Sequence, residues 1–175
     1  MTRLHSQLFF PLTEQVYPHD RTIIEAYDVR SNGGIIVMAI LDGKARAAKL
    51  RKDIKADAQR FQDKHGRPPG LDVIVVGDDP ASAVYVKGKE KACTKVGFRS
   101  KVHRFPNDAS EQEIILAIKE LNHDETVDGI LLQLPLPKPL RASKIIDFID
   151  PLKDVDGLHP SNLGKLLTGQ KGIVP

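Results

Sequence analysis

Ala47, Leu50, Ile54, Ala58 and Phe61 recur at steps of three and four. That spacing predicts one long helix with a single apolar stripe, and Asp42 stands where its N-cap belongs. The stretch "HGRPPG" ends it, with Gly66 suited to the left-handed position after the last turn and the prolines blocking continuation. The period then changes. Residues 71–76, "LDVIVV", are a β-branched run too short for a helix and predict a buried strand. "GDDP" turns the chain, with Asp79 as the cap of a second helix and Pro80 at its first position, where no backbone donor is missed. This helix is expected to run to about Val96, with Gly97 stopping it. "KVHRF" (101–105) predicts a second strand, and Ser110 and Glu113 have the spacing of a capping box. Ile114, Ile118 and Leu121 follow on one helical face. Residues 129–134 predict a third strand, and 142–149 a short helix closed by "DP".

Strand and helix therefore alternate, which predicts an α/β fold with a mainly parallel sheet between helical layers. Ligands of such sheets bind beyond the carboxyl ends of the strands. "GDDPAS", "FPNDAS" and "QLPLP" lie there, so Gln133 is either a buried structural amide or a functional one. Residues 1–37 differ, mixing "LFFPL", "VYPHD" and "VRSNGG" without a sustained period. They are expected to be a poorly ordered extension, with a small structural arm as the alternative, and a domain is expected to start at Met38. The apolar stretch 8–12 is too short for a signal-peptide core, and Glu14, Asp20 and Glu25 argue against a transit peptide.

Composition narrows the function classes. Of 175 residues, 41% are hydrophobic and 28% charged, the balance of an ordinary globular protein. Lys and Arg total 26 against 23 acids, a net charge of +3 with no basic run interleaved with aromatics, so no nucleic-acid partner is expected. One cysteine, Cys93, gives no internal disulfide framework and fits a reducing, cytoplasmic setting. No apolar run approaches bilayer length, so no membrane partner is expected.

Two groupings carry candidate chemistry. Ser82, Tyr85 and Lys89 share one helical face, Tyr85 and Lys89 one turn apart. A tyrosine offers a flat ring and a hydroxyl, and a lysine in a partly desolvated cleft can exchange protons near neutral pH. The plain alternative is a solvated lysine-rich helix, since Lys87, Lys91 and Lys95 lie on it too. Asp154 and Asp156 form the second grouping, one residue apart in a turn-rich segment, where one carboxylate could accept from an amide-and-amine ligand edge. Turn chemistry alone also accounts for them. The only nearby imidazole is His159, so no metal site is expected. There is no G-x-G-x-x-G, Walker loop or G-x-S-x-G.

"DPASAVYVKGKEKAC", "DGILLQLPLP" and "DPLKDVDGLHPSNLGKL", in this order and spacing, resemble the bifunctional methylenetetrahydrofolate dehydrogenase/methenyltetrahydrofolate cyclohydrolase enzymes, over about residues 38–175. The family's Y-x-x-x-K motif falls on Tyr85 and Lys89, its serine on Ser82, its "QLPLP" glutamine on Gln133 and the aspartate of K-D-V-D-G on Asp156. The resemblance implies a three-layer α-β-α folate-binding catalytic domain over 38–150 and the start of an NADP-binding domain over 151–175. It implies that Tyr85 stacks on the aminobenzoyl ring of a tetrahydrofolate substrate, that Asp156 bonds the pterin-like ring and that Pro135 shapes the wall beside it. Lys89 is then the acid–base residue, held and tuned by Gln133; Lys89, Gln133 and Tyr85 make up the catalytic group, and Ser82 joins the substrate contacts. The implied chemistry is hydride transfer from the methylene carbon to NADP, then hydrolysis to 10-formyltetrahydrofolate, by a homodimer serving purine biosynthesis.

Relatives of this kind continue past "GQKGIVP" into a Rossmann-type cofactor domain, so the chain is expected to be part of a longer enzyme with no cofactor-binding residues of its own. As it stands it is expected to lack NADP-dependent dehydrogenase activity. A non-catalytic folate-binding fragment or scaffold subunit is the alternative.

Overall fold

The computed structural model describes residues 25–31, 34–40 and 42–172. The chain divides into two units at Leu50/Arg51. In the first, β1 (Glu25–Ser31) and β2 (Gly34–Ile40) pair antiparallel, from Glu25 opposite Ile40 to Ser31 opposite Gly34. The intervening residues, 32–33, read Asn-Gly, a dipeptide favoured where two residues connect a hairpin. Met38, expected to begin a domain, lies inside β2, so the change of texture there is the apolar run of a strand. The expectation for residues 1–24 lies outside the described residues.

Helix α1 (Gly43–His65) begins as expected, the Asp42 carboxylate accepting from the backbone N–H of Lys44 and Ala45 at 3.0 and 2.9 Å. Its apolar stripe is less covered than the pattern predicts: Ala58 is buried, but Leu50 is 53% exposed.

The second unit is built on three parallel strands in the order β4-β3-β5: β3 (Gly70–Val76), β4 (Arg99–Phe105) and β5 (Gly129–Leu132). β3 is central and buried on both faces, which is why its sequence is nearly continuous in Val and Ile. Helix α2 (Pro80–Val96) covers one face, Val86 packing with Val73, Val75 and Leu131. On the other face, α3 (Glu111–His123) and α4 (Ala142–Ile146) set Ile114, Ile118 and Ile145 against Ile74, Val76, Ile130 and Leu132. The expected three layers are present. Each fully buried valine, leucine or isoleucine contributes roughly 1.5–3 kcal/mol, so both interfaces fix their helices firmly.

The helix signals hold residue by residue. Asp79 accepts from Ser82 N–H at 2.7 Å, Gly97 closes α2 in the left-handed region at φ 87°, and Ser110 and Glu113 form the reciprocal capping box. Three features depart from expectation. β5 stops at Leu132, two residues early, although Gln133 N–H still donates to Ile74 O at 2.9 Å; the prolines beyond cannot extend the ladder. α4 ends at Ile146, after which Phe148 N–H and Ile149 N–H make tight bonds to Ile145 O and Ile146 O. A further helix, α5 (Pro160–Leu167), forms where only turns were expected, with His159 Nδ1 accepting from Ser161 N–H at 3.1 Å as its cap.

One buried charge lies on the α3 face of the sheet. Asp72 on β3 meets His103 Nε2 at 2.7 Å and the Arg99 guanidinium at 2.8 Å, both from β4. The guanidinium and the imidazole answer the burial of a carboxylate that would otherwise be costly.

Candidate functional site

The turn leaving β3 sets up one end of the sheet. Gly77 takes φ 79°, and a Cβ built there would stand 2.8 Å from Asn107 Oδ1 and 3.0 Å from Pro137 Cγ. Three loops thus converge beyond the carboxyl ends of the strands: 77–79 after β3, the Asn107 loop after β4, and the "QLPLP" loop after β5. They are the places named from the sequence. In the last of them the Leu134–Pro135 peptide is cis.

From this turn α2 rises with Asp79 at its head, and the hydrogen bonds from Ser82 hold the Asp79 carboxyl below the usual carboxylate range. Ser82 itself is buried, and its backbone N–H makes this cap. Tyr85, one helical step on, is 67% exposed, its ring free to meet a planar ligand. One turn later Lys89 is half-buried, and its Nζ donates to Gln133 Oε1 at 3.2 Å. The two lie 44 residues apart in sequence, brought together because α2 packs over the sheet whose strand β5 ends at Gln133. The amide is half-buried, and its Nε2 donates to Leu134 O at 2.7 Å. The amide oxygen is thereby turned to the ammonium. Gln133 is half-buried and bonded to Lys89 rather than sealed in the core.

Asp156 joins from a third direction. Burial pushes its carboxyl above the usual range, the Lys89 ammonium pulls it back, and the Asp154 carboxylate adds to the rise. Asp154 and Asp156 line a small, shallow recess together with Ile130, Leu132, Ile146, Ile149 and Leu158.

The segment holding these aspartates is anchored on both sides. Asp154 pairs with Ile130 of β5, Ile130 N–H donating to Lys153 O at 2.7 Å. Lys153 Nζ donates to three carbonyls that end α3, those of Leu121, Asn122 and Asp124, at 3.0, 2.8 and 2.9 Å. All of these anchors lie in the unit that begins at Arg51. Sequence reasoning missed Lys153 and Asn162; neither carries a local signal, since their partners are 32 and 8 residues away. Among the described residues, no three His, Cys, Asp or Glu side chains gather as metal ligands, and no helix is long and apolar enough to cross a membrane.

Comparison with known proteins bears on this constellation. The model of the tetrahydrofolate dehydrogenase/cyclohydrolase catalytic domain matches residues 41–156. The bifunctional protein FolD of Maridesulfovibrio salexigens is 52% identical over 136 residues, covering 78% of this chain and 48% of the relative. That of Prochlorococcus marinus is 56% identical over 133 residues, covering 76% and 44%. Among solved structures, the FolD methylenetetrahydrofolate dehydrogenase/cyclohydrolase of Campylobacter jejuni superposes with a TM-score of 0.74 at 44% identity, over 77% of this chain and 48% of that one. The Trypanosoma brucei enzyme, solved with NADP cofactor and inhibitor, gives 0.73 at 31% identity, over 78% and 47%. The chain spans about half the length of the curated relatives it matches.

Proposed function

The chain belongs to the tetrahydrofolate dehydrogenase/cyclohydrolase family, and from that membership we propose that the whole protein oxidises 5,10-methylenetetrahydrofolate with NADP and hydrolyses the methenyl product to 10-formyltetrahydrofolate. The observation that carries this reading for the present residues is the hydrogen bond from Lys89 to Gln133. A glutamine oxygen accepts from nitrogen whether the lysine is ammonium or amine, so it holds Nζ in place while the proton count changes. In the hydrolysis, water adds to the methenyl carbon and its proton passes to the Lys89 amine. The Lys89 ammonium returns that proton to N5, the carbon–N5 bond breaks with its electron pair going to N5, and the added hydroxyl loses its proton to solvent, leaving the formyl group on N10. Tyr85 stacks on the aminobenzoyl ring, Asp156 accepts from the pterin-like edge, and Pro135 walls the ring. Ser82 serves through the helix start that aims Tyr85 and Lys89.

These residues do not fit the pyrophosphate of a dinucleotide. Asp79 already occupies the N-terminus of α2, and with Asp78 it places negative charge where a phosphate would need donors. The hydride step is therefore assigned to none of them. We extend the same reading to a cytoplasmic homodimer in one-carbon metabolism that supplies purine biosynthesis.

Lys89→Met tests the proposal. Hydrolysis of 5,10-methenyltetrahydrofolate, followed by its loss of absorbance, is expected to fall about 10²–10⁴-fold, the usual range for a lost acid–base group. Binding of the folate is expected to change far less. Undiminished hydrolysis by the variant would remove Lys89 from the mechanism.

A further inference from the structure

Asp154 is 2% exposed, and one of its oxygens, Oδ2, accepts both from His159 N–H at 2.8 Å and from Asn162 Nδ2 at 2.9 Å. Asn162, equally buried at 2%, donates from the same nitrogen to Pro151 O at 2.9 Å. One carboxylate thus ties the first turn of α5 to the strand-like pairing of Asp154 with Ile130. Between those anchors lie residues 155–158, closed further by Gly157 N–H on Asp154 O at 3.4 Å. A four-residue loop held at both ends has little freedom to shift, and Asp156 stands within it.

Either an aspartate or an asparagine could accept those two bonds. A carboxylate sunk out of water costs more than an amide, and this one stands two residues from Asp156 in the lining of the same recess, close enough for its charge to act there. The groups facing Asp156 are Lys89 from α2 and Asp154 from its own loop, with opposite effects. A negative neighbour makes a carboxylate more basic, and a more basic oxygen accepts more strongly from N–H donors.

We propose that Asp154, clamped with Asn162, is a positioning residue for Asp156: it holds the loop in place and its charge strengthens Asp156 as an acceptor for the N–H edge of a pterin-like ring. The identity of the ring rests on the folate reading above; the clamp does not.

The test compares the protein with its Asp154→Asn, Asp154→Ala and Asn162→Ala variants. The Asp156 carboxyl is titrated by carbon-detected NMR, and folic acid affinity is measured by calorimetry. Asp154→Asn keeps an oxygen for both bonds and removes only the charge. It is expected to lower the Asp156 midpoint and weaken folic acid by about threefold, whereas Asp154→Ala loses about tenfold or more because both bonds go. Asn162→Ala falls between them, with a smaller change in the Asp156 midpoint. An unmoved Asp156 midpoint in Asp154→Asn overturns the electrostatic role, and equal losses in the Asn and Ala variants overturn the clamp. If Asp154→Ala does not fold, Asp154→Asn and Asn162→Ala decide on the same two readouts. Should the unmutated protein fail to bind folic acid while the Asp156 midpoint still falls in Asp154→Asn, the folate reading fails and the positioning role stands.

Discussion

Replacing Gln133 by leucine asks how much the held lysine is worth. The substitution removes the acceptor of Lys89 Nζ and leaves a side chain of similar bulk. The backbone bond from residue 133 N–H to Ile74 O remains, so β5 keeps its register. A hydrogen bond to a charged donor is worth about 1.5–3 kcal/mol net. At 3.2 Å the Lys89–Gln133 bond is longer than the usual charge-assisted 2.7–2.9 Å, and both groups are half-buried, which places it at the low end. Losing about 1.5 kcal/mol corresponds to about tenfold in rate. The local bond from Nε2 to Leu134 O is also lost, but it joins neighbouring residues at the surface and adds little. Turnover of 5,10-methenyltetrahydrofolate is therefore expected to fall about tenfold while KM moves by less than about threefold, because the bond positions a reacting group and does not hold the substrate. Urea unfolding should give an unchanged slope. A variant with undiminished kcat, or one whose whole effect lies in KM, would show that Gln133 does not hold Lys89 for catalysis.

Asp156→Asn should separate stability from function. The folded carboxyl sits above its usual value, so its contribution favours the fold below the ordinary aspartate pKa and is lost as pH rises through the raised one. The variant is expected to be more stable than the parent at neutral pH, to lose that advantage on acidification, and to bind folate more weakly; urea midpoints across pH check the first two. Gly77→Ala forces a Cβ into Asn107 and Pro137 at a positive φ, and a loss of about 1–3 kcal/mol in urea unfolding is expected, with lowered hydrolysis as the three loops separate. Glu111 accepts from Arg141 and Lys144, which hold its carboxyl down at about 2 against an ordinary 4.5. That stabilisation is present above the ordinary value and lost as pH falls toward 2, so Glu111→Gln should flatten the acid limb of the stability profile.

What could be read from the chain was whatever is encoded locally. Asp79, Pro80 and Gly97 mark α2 because caps act over three or four residues, and "LDVIVV" marks β3 because burial on both faces demands a continuous apolar run. The Tyr85–Lys89 pair needed only helical spacing. Gln133 was legible as a polar residue at a strand's end, but its partner is 44 residues away and no pattern in the chain specifies that distance. Asp72 was hidden inside an apolar run for the same reason, its partners Arg99 and His103 lying on β4. Asp154 and Asp156 were visible as a pair, yet spacing could not say which was buried. That depended on the bridge to Ile130 and on α5, an eight-residue helix too short for its period to be recognised.

The ammonium of Lys153 has three hydrogens, and the three carbonyls at the end of α3 take all of them. A helix leaves its last carbonyls without intrahelical donors, and here the missing donors come from a residue next to Asp154 in the chain. The loop of Asp156 is thus measured off against the end of a helix that carries none of the candidate site residues. A drift in α3, by repacking of its isoleucines or by fraying of its last turn, would be passed as a displacement to the ligand side of the sheet. Selection on the core of α3 would then act on the accuracy of the site as well as on stability.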